Sequence, residues 1–312
     1  MKKCSVVVPC YNEEETIQIF YDEMMKYIPN MPDLEFEFIF VDDGSKDRSL
    51  EKMKKLAAED SRVKYISFSR NFGKESGLFA GLEATTGDYI VTMDVDLQDP
   101  PYLLEEMYKA VSEEGYDCAA TMRTDRKGEA PIRSWFARKF YRIINKISNA
   151  DIVDGARDYR FMTRQMVDSI LSMREYNRFT KGIFGWIGYK TKWIPFENVE
   201  RSAGTTKWSF WKLFLYALEG IIAFSTTPLW IASLFGLFCC MAAVIALAFI
   251  VVRACMYGDP VAGWPSTISV IIFIGGLQMF CMGILGMYVA KMYLETKKRP
   301  IYITKETNIE EK

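Results

Sequence analysis

The chain has 312 residues, with 39 Lys and Arg against 40 Asp and Glu, no histidine and a formal charge of −1. That balance gives no sign of a nucleic-acid partner, and the lack of histidine leaves any general base near pH 7 to a carboxylate or a less usual group. Seven cysteines with no C-x-x-C spacing indicate neither a disulfide framework nor a zinc site.

Along residues 1 to 125, "CSVVVPCY", "FEFIFVDDGS", "VKYISFS" and "DYIVTMDVD" read as strands. The segments from Glu13 to Tyr27, Asp47 to Ala58, Lys74 to Ala84 and Pro101 to Glu113 read as helices. This βαβαβ order predicts an α/β domain with a mainly parallel sheet, and ligands gather at the carboxyl ends of such strands. Those ends carry Tyr11, Asn12 and Glu13, then Asp42 and Asp43, then Asp94 and Asp96. In an extended chain residues i and i+2 share a side, so Asp94 and Asp96 of "YIVTMDVDLQDPP" would present two carboxylates together. Hard oxygen ligands of that kind suit Mg²⁺ or Mn²⁺, although an Asp-rich strand end is also an ordinary polar turn. The sequence has no G-x-G-x-x-G and no G-x-x-x-x-G-K-[ST], so phosphate must be managed without those loops, and a metal held by Asp94 and Asp96 could do it with basic side chains helping.

Toward the C-terminus, the stretches from Pro228 to Val252 and from Trp264 to Ala290 carry no charged residue, and each exceeds the roughly 20 residues that cross a bilayer. The connector from Arg253 to Gly263 has one basic residue, whereas Lys207 and Lys212 precede the first span and Lys291, Lys297, Lys298 and Arg299 follow the second. Basic residues accumulate on the cytoplasmic side, so a multi-pass membrane protein with both ends cytoplasmic is expected. Before the first span, "KWSFWKLFLYALEGIIAFSTT" suits helices lying in the membrane interface. The expected divisions are a catalytic domain over 1–206, interfacial helices over 207–227, a transmembrane hairpin over 228–290 and a cytoplasmic tail over 291–312.

"VVVPCYNEEE", "FVDDGSKDRS", "NFGKESGLFAGLEATTGDYIVTMDVDLQDPP", "RSAGTTKWSFW" and "ETKKRPIYI", in this order, resemble the family 2 glycosyltransferases. More narrowly they are similar to the polyprenyl-phosphate glycosyltransferases, relatives of dolichyl-phosphate mannose synthase with a C-terminal membrane hairpin. The resemblance implies a GT-A fold and inverting, metal-dependent transfer from a nucleotide sugar, UDP-glucose or a UDP-N-acetylhexosamine, to polyprenyl phosphate at a bacterial cell membrane. It places Pro9, Tyr11, Glu13 and Asp43 beside the nucleotide, with Asp42 divided between that role and a turn. It gives the metal to Asp94 and Asp96, with Asp99 left to cap the following helix. Asp158 becomes the presumed base near the acceptor, with pairing to Arg157 or Arg160 as the plainer role. It puts Arg201 and Lys207 on donor or acceptor phosphates; Arg123 is a similar candidate, and Arg126, Arg133 and Arg138 stay outside that assignment as residues that could instead meet anionic lipid headgroups. A homo-oligomer is expected. The alternatives are elongation of a glycan on a sugar hydroxyl, against which stands the lack of a Q-x-x-R-W motif, and a flippase subunit, for which the spans offer only Gln278 as a strongly polar group.

Overall fold

The central strands of the domain are buried on both faces, and side-chain alternation sorts their residues into two cores. In β1 (Lys2–Cys10), Val6 and Val8 face one core while Val7 faces the other. The same holds for Val91 and Ile90 in β4 (Tyr89–Thr92) and for Phe161 and Met162 in β6 (Ala156–Thr163). Runs apolar on both sides are the mark of a sheet covered by helices on each face. In this computed structural model the described residues are 1–124, 145, 153, 155–197, 221–222, 225–257 and 263–310.

Among them the sheet has eight strands in the order β7-β5-β6-β4-β1-β2-β3-β8, completed by β2 (Leu34–Asp42), β3 (Val63–Phe68), β5 (Cys118–Arg123), β7 (Thr191–Phe196) and β8 (Thr304–Thr307). The β3-β2-β1-β4 segment is parallel, β6 runs antiparallel between β4 and β5, and β5 pairs with β7 in parallel. Helices α1 (Ile17–Tyr27), α2 (Ser49–Glu59) and α4 (Leu104–Ser112) cover the first face. Helices α3 (Lys74–Ala84), α5 (Arg164–Ser172) and α6 (Thr180–Trp186) cover the second.

Two differences from the sequence reading bear on the site. Strand β4 stops at Thr92 instead of running to Asp96, because the chain turns at Val95 and Asp96 and Leu97 takes φ of 55°. Asp94 and Asp96 therefore sit on a turn, and the i, i+2 geometry of an extended strand does not apply to them. Part of the expected C-terminal tail also belongs to the sheet, since β8 adds antiparallel to β3 at its edge. Tyr302 stacks on Phe68 with ring centroids 5.0 Å apart, and its hydroxyl donates to Glu83 at 2.8 Å. Lys54 pairs with Glu306 at 2.8 Å.

Helix α3 lies close against the strands because two of its glycines face them. A Cβ added at Gly81 would come within 2.2 Å of Val7 Cγ1, a buried β-branched side chain with little freedom to move. Gly81→Ala is accordingly expected to destabilise the domain by about 1–3 kcal/mol, read as a lowered denaturant midpoint. An unchanged midpoint would show that α3 can lift without cost.

Helices α7 (Thr227–Tyr257) and α8 (Trp264–Thr296) contain segments long and apolar enough to cross a membrane, Thr227–Ala246 with mean hydropathy 2.3 and Phe273–Thr296 with 1.7. The end of α8 docks on the segment before α6. There the Glu295 carboxylate accepts from the Tyr176 and Asn177 amides at 3.1 and 3.0 Å, and Lys291 donates to Asn177 Oδ1 at 3.0 Å.

Candidate active site

At the ends of β1 and β2 the polar loops are tied to each other by side chains. Asn12, at φ 54°, donates its amide to Ser45 Oγ and accepts from the Lys46 amide, while the Glu13 amide donates to Ser49 Oγ. Pro9 in β1 packs against α3, at 3.4 Å from where a Cβ on Gly77 would stand, and Tyr11 and Glu13 are half-buried beyond the strand end. Asp42 is buried with both oxygens committed internally, one to the Ser45 amide at 2.9 Å and the other to the Ser67 hydroxyl at 2.7 Å. It therefore builds the turn. Asp43 accepts from the Phe72 amide at 2.6 Å and the Gly73 amide at 2.9 Å, which fixes the start of α3 beside the same loops. Burial pushes its carboxyl up to about 6, against the pull of those amides.

Next to them stands a cluster of alternating charge. Lys74, the first residue of α3, bridges Asp94 Oδ1 and Asp158 Oδ2 at 2.7 Å each. Burial opposes the charge on Lys74, but the two carboxylates outweigh it and hold the ammonium above its ordinary pKa. Burial likewise works against charge on Asp158, yet Lys74, Lys181 and Arg157 outweigh it and keep the carboxyl well below the usual range. Asp99 is fully buried and takes Arg157 Nε at 2.8 Å, and its other oxygen accepts the Asp94 amide at 3.2 Å. Arg157 Nη2 also lies 3.7 Å from Asp94 Oδ2. Asp99 does not cap a helix: the turn after Pro100 has no side-chain cap, and the carboxylate instead fixes the Asp94 backbone and Arg157. Asp158 pairs with neither Arg157 nor Arg160 but with Lys74. Strand β6 sends 157 and 158 to opposite faces, and Lys74 reaches Asp158 from α3 on the second face.

Asp96 accepts the Gln98 amide at 3.1 Å, and Gln98 Oε1 accepts from Arg123 Nη2 at 3.3 Å, so Arg123 joins the Asp94–Asp96 turn. Arg201 and Lys207 lie outside the described residues, as do Arg126, Arg133 and Arg138. The sequence reading missed Lys74. Its signal was present in "NFGKESG", a lysine opening a helix that points at the same strand ends as the aspartates.

Asp94 and Asp96 put two hard carboxylates on one turn, the donor type that suits a divalent cation. Among the described residues no three carboxylates, cysteines or histidines converge into a cage, so an ion at Asp94 and Asp96 would take the rest of its shell from diphosphate oxygens and water. Asp94 already meets two protein cations, Lys74 Nζ at 2.7 Å and Arg157 Nη2 at 3.7 Å, which an ion there would have to share it with.

Residues 5–171 match the family described as glycosyl transferase family 2. The prophage bactoprenol glucosyl transferase homolog of Escherichia coli K12 is 43% identical over 307 residues, covering 97% of this chain and 98% of the relative. The bactoprenol glucosyl transferase of Shigella phage SfX is 41% identical, covering 97% and 99%. A solved glucosyl-3-phosphoglycerate synthase from Mycobacterium tuberculosis, in complex with Mn²⁺, UDP-glucose and phosphoglyceric acid, reaches a TM-score of 0.49 at 19% identity over 71% of this chain and 78% of that one. That likeness is too distant to bear on substrate. With its parallel β3-β2-β1-β4 segment, the charged cluster at the strand ends, and relatives above 40% identity over nearly the whole chain, this glycosyltransferase belongs to glycosyl transferase family 2.

Proposed function

We propose that the chain transfers glucose from UDP-glucose to the phosphate of a polyprenyl lipid, with inversion at the sugar carbon. The observation that supports this most is the placing of the Lys74–Asp94–Asp158 cluster in the domain onto which α8 docks. Relatives named for glucosyl transfer to bactoprenol point the same way. Tyr11 offers a flat face to the base, and the Asp43 loop lies beside it. A divalent cation bound by Asp94 and Asp96 would neutralise the diphosphate as it leaves. Asp158 faces the acceptor, where its carboxylate and Lys74 together orient the attacking phosphate oxygen. That oxygen bonds to the anomeric carbon, the bond from that carbon to the diphosphate oxygen breaks, and UDP departs with the electron pair. Arg201 and Lys207 are proposed as further phosphate contacts, a forked donor and a point charge. The test is purified protein in detergent with undecaprenyl phosphate and a panel of labelled nucleotide sugars. Label from UDP-glucose is expected in the lipid extract, and label from every donor staying in the aqueous phase would end this reading.

The same reading places the domain on the cytoplasmic face of a bacterial membrane, with α7 and α8 crossing it. β8 belongs to the sheet of the catalytic domain, so the chain must return after α8 to the side on which that domain lies. In a Cys-free background, Gly258→Cys is expected to react with an impermeant maleimide on intact cells, and Thr304→Cys only after permeabilisation. The reverse pattern would put the domain outside, away from nucleotide sugars.

A further inference from the structure

Between β6, β7 and α6 lies a cavity of about 320 Å³ whose lining includes Arg160, Lys181, Phe184, Tyr189 and Trp193. Arg160 is only 3% exposed, yet no carboxylate among the described residues pairs with it. Its guanidinium lies 4.0 Å from the Phe184 ring centroid and 5.2 Å from that of Trp193, Nη1 reaches Cys118 Sγ at 3.9 Å, and Nε has no acceptor. Aromatic faces attract a guanidinium but supply no lone pair for its N–H groups, and a buried cation left without an acceptor is costly. Lys181 adds a second cation to the same lining, its ammonium 3.3 Å from the Ala156 carbonyl.

Two features of position bear on what anion these cations would take. Arg160 and Asp158 are two apart on β6 and share its second face, since Tyr159 and Phe161 pack in the first core and Met162 in the second. Their Cα atoms are thus separated by about 7 Å, the rise of two strand residues. Helix α6, which carries Lys181 and Phe184, follows directly on the segment whose Tyr176 and Asn177 amides hold Glu295 at the end of α8, and its Trp186 is 57% exposed. The cavity therefore shares a strand face with Asp158, and its helix α6 follows the segment on which the end of α8 docks, with cations and aromatic walls together.

We propose that this cavity binds the phosphate of the lipid acceptor through Arg160 and Lys181, with Phe184, Tyr189 and Trp193 against the first apolar units of the chain. The assignment rests on the reading that the acceptor is a polyprenyl phosphate. It is tested by direct binding to the full chain in detergent, with geranylgeranyl phosphate against geranylgeraniol, in the parent, Lys181→Met and Arg160→Lys. The parent is expected to prefer the phosphate, and Lys181→Met to lose about tenfold of that preference, the order expected for one charge-assisted hydrogen bond. In turnover, the same variant should raise the KM for lipid phosphate by a similar factor and leave the KM for UDP-glucose unchanged. Arg160→Lys keeps the charge without the fork and should weaken phosphate binding while the protein stays folded by its melting curve. A parent without phosphate preference, folded variants that retain the parent's preference, or equal displacement by inorganic phosphate at matched concentration would each overturn the proposal. If the parent makes no lipid-linked sugar, the functional reading falls, and the binding comparison still decides the cavity.

Discussion

Asp94→Asn is expected to lose about 10²- to 10³-fold in turnover while remaining folded, the range typical of removing one group aimed at charge that develops during reaction. Asparagine matches aspartate in shape, so the backbone bond from residue 94 to Asp99 survives, and Lys74 keeps its second partner in Asp158. What disappears is the negative charge that meets Lys74 at 2.7 Å and lies 3.7 Å from Arg157. In the proposed mechanism that charge also holds the cation against the donor diphosphate. Asp96→Asn should behave alike, although its carboxylate also steadies the Gln98 turn. Excess chelator should silence the parent, and Mg²⁺ or Mn²⁺ should restore it. Full turnover in chelator, or a variant as active as the parent, would remove these two carboxylates from the metal.

Asp158→Asn separates the two acceptors that a family 2 enzyme of this kind could use. A sugar hydroxyl must lose a proton as it attacks, and a positioned base is worth roughly 10²- to 10⁴-fold there. A phosphate monoester has its second pKa near ~6 and is mostly a dianion above pH 7, so it arrives with a nucleophilic oxygen. The variant is therefore expected to be strongly impaired near pH 6, where part of the acceptor is monoanionic, and to recover measurably by pH 8.5. The parent should change much less over that range. The assay is lipid-extractable label, with donor affinity measured separately. Equal loss at both pH values with donor binding intact would point to an obligatory base or to positioning through Lys74 that acceptor ionisation cannot replace.

Most of the domain was legible because its signals are local. Apolar β-rich runs located β1, β2 and β3 to within a few residues, and α3 occupies Lys74 to Ala84 as its pattern predicted. Strand β4 was overextended because "TMDVD" alternates like a strand, while the turn that ends it depends on Leu97 adopting a positive φ, a conformation with no compositional mark in leucine. Strand β8 is four polar residues, T-K-E-T, whose pairing with β3 comes from contacts more than 230 positions away, such as Tyr65 with Asn308 at a separation of 243. The candidate site divided in the same way. The aspartates at strand ends follow from topology, whereas Asp42 turning inward, Asp99 taking Arg157 and Lys74 bridging two carboxylates are decided by where side chains meet in three dimensions.

The central claim is that the sugar, without its phosphate, moves to the lipid. It is tested most directly by one donor carrying two labels, UDP-glucose with ¹⁴C in the sugar and ³²P in the β-phosphate, incubated with the protein, undecaprenyl phosphate and Mg²⁺. The account predicts that ¹⁴C enters the lipid extract while ³²P stays in the aqueous phase as UDP. Appearance of both labels in the lipid in equal amounts, or of neither, would contradict it.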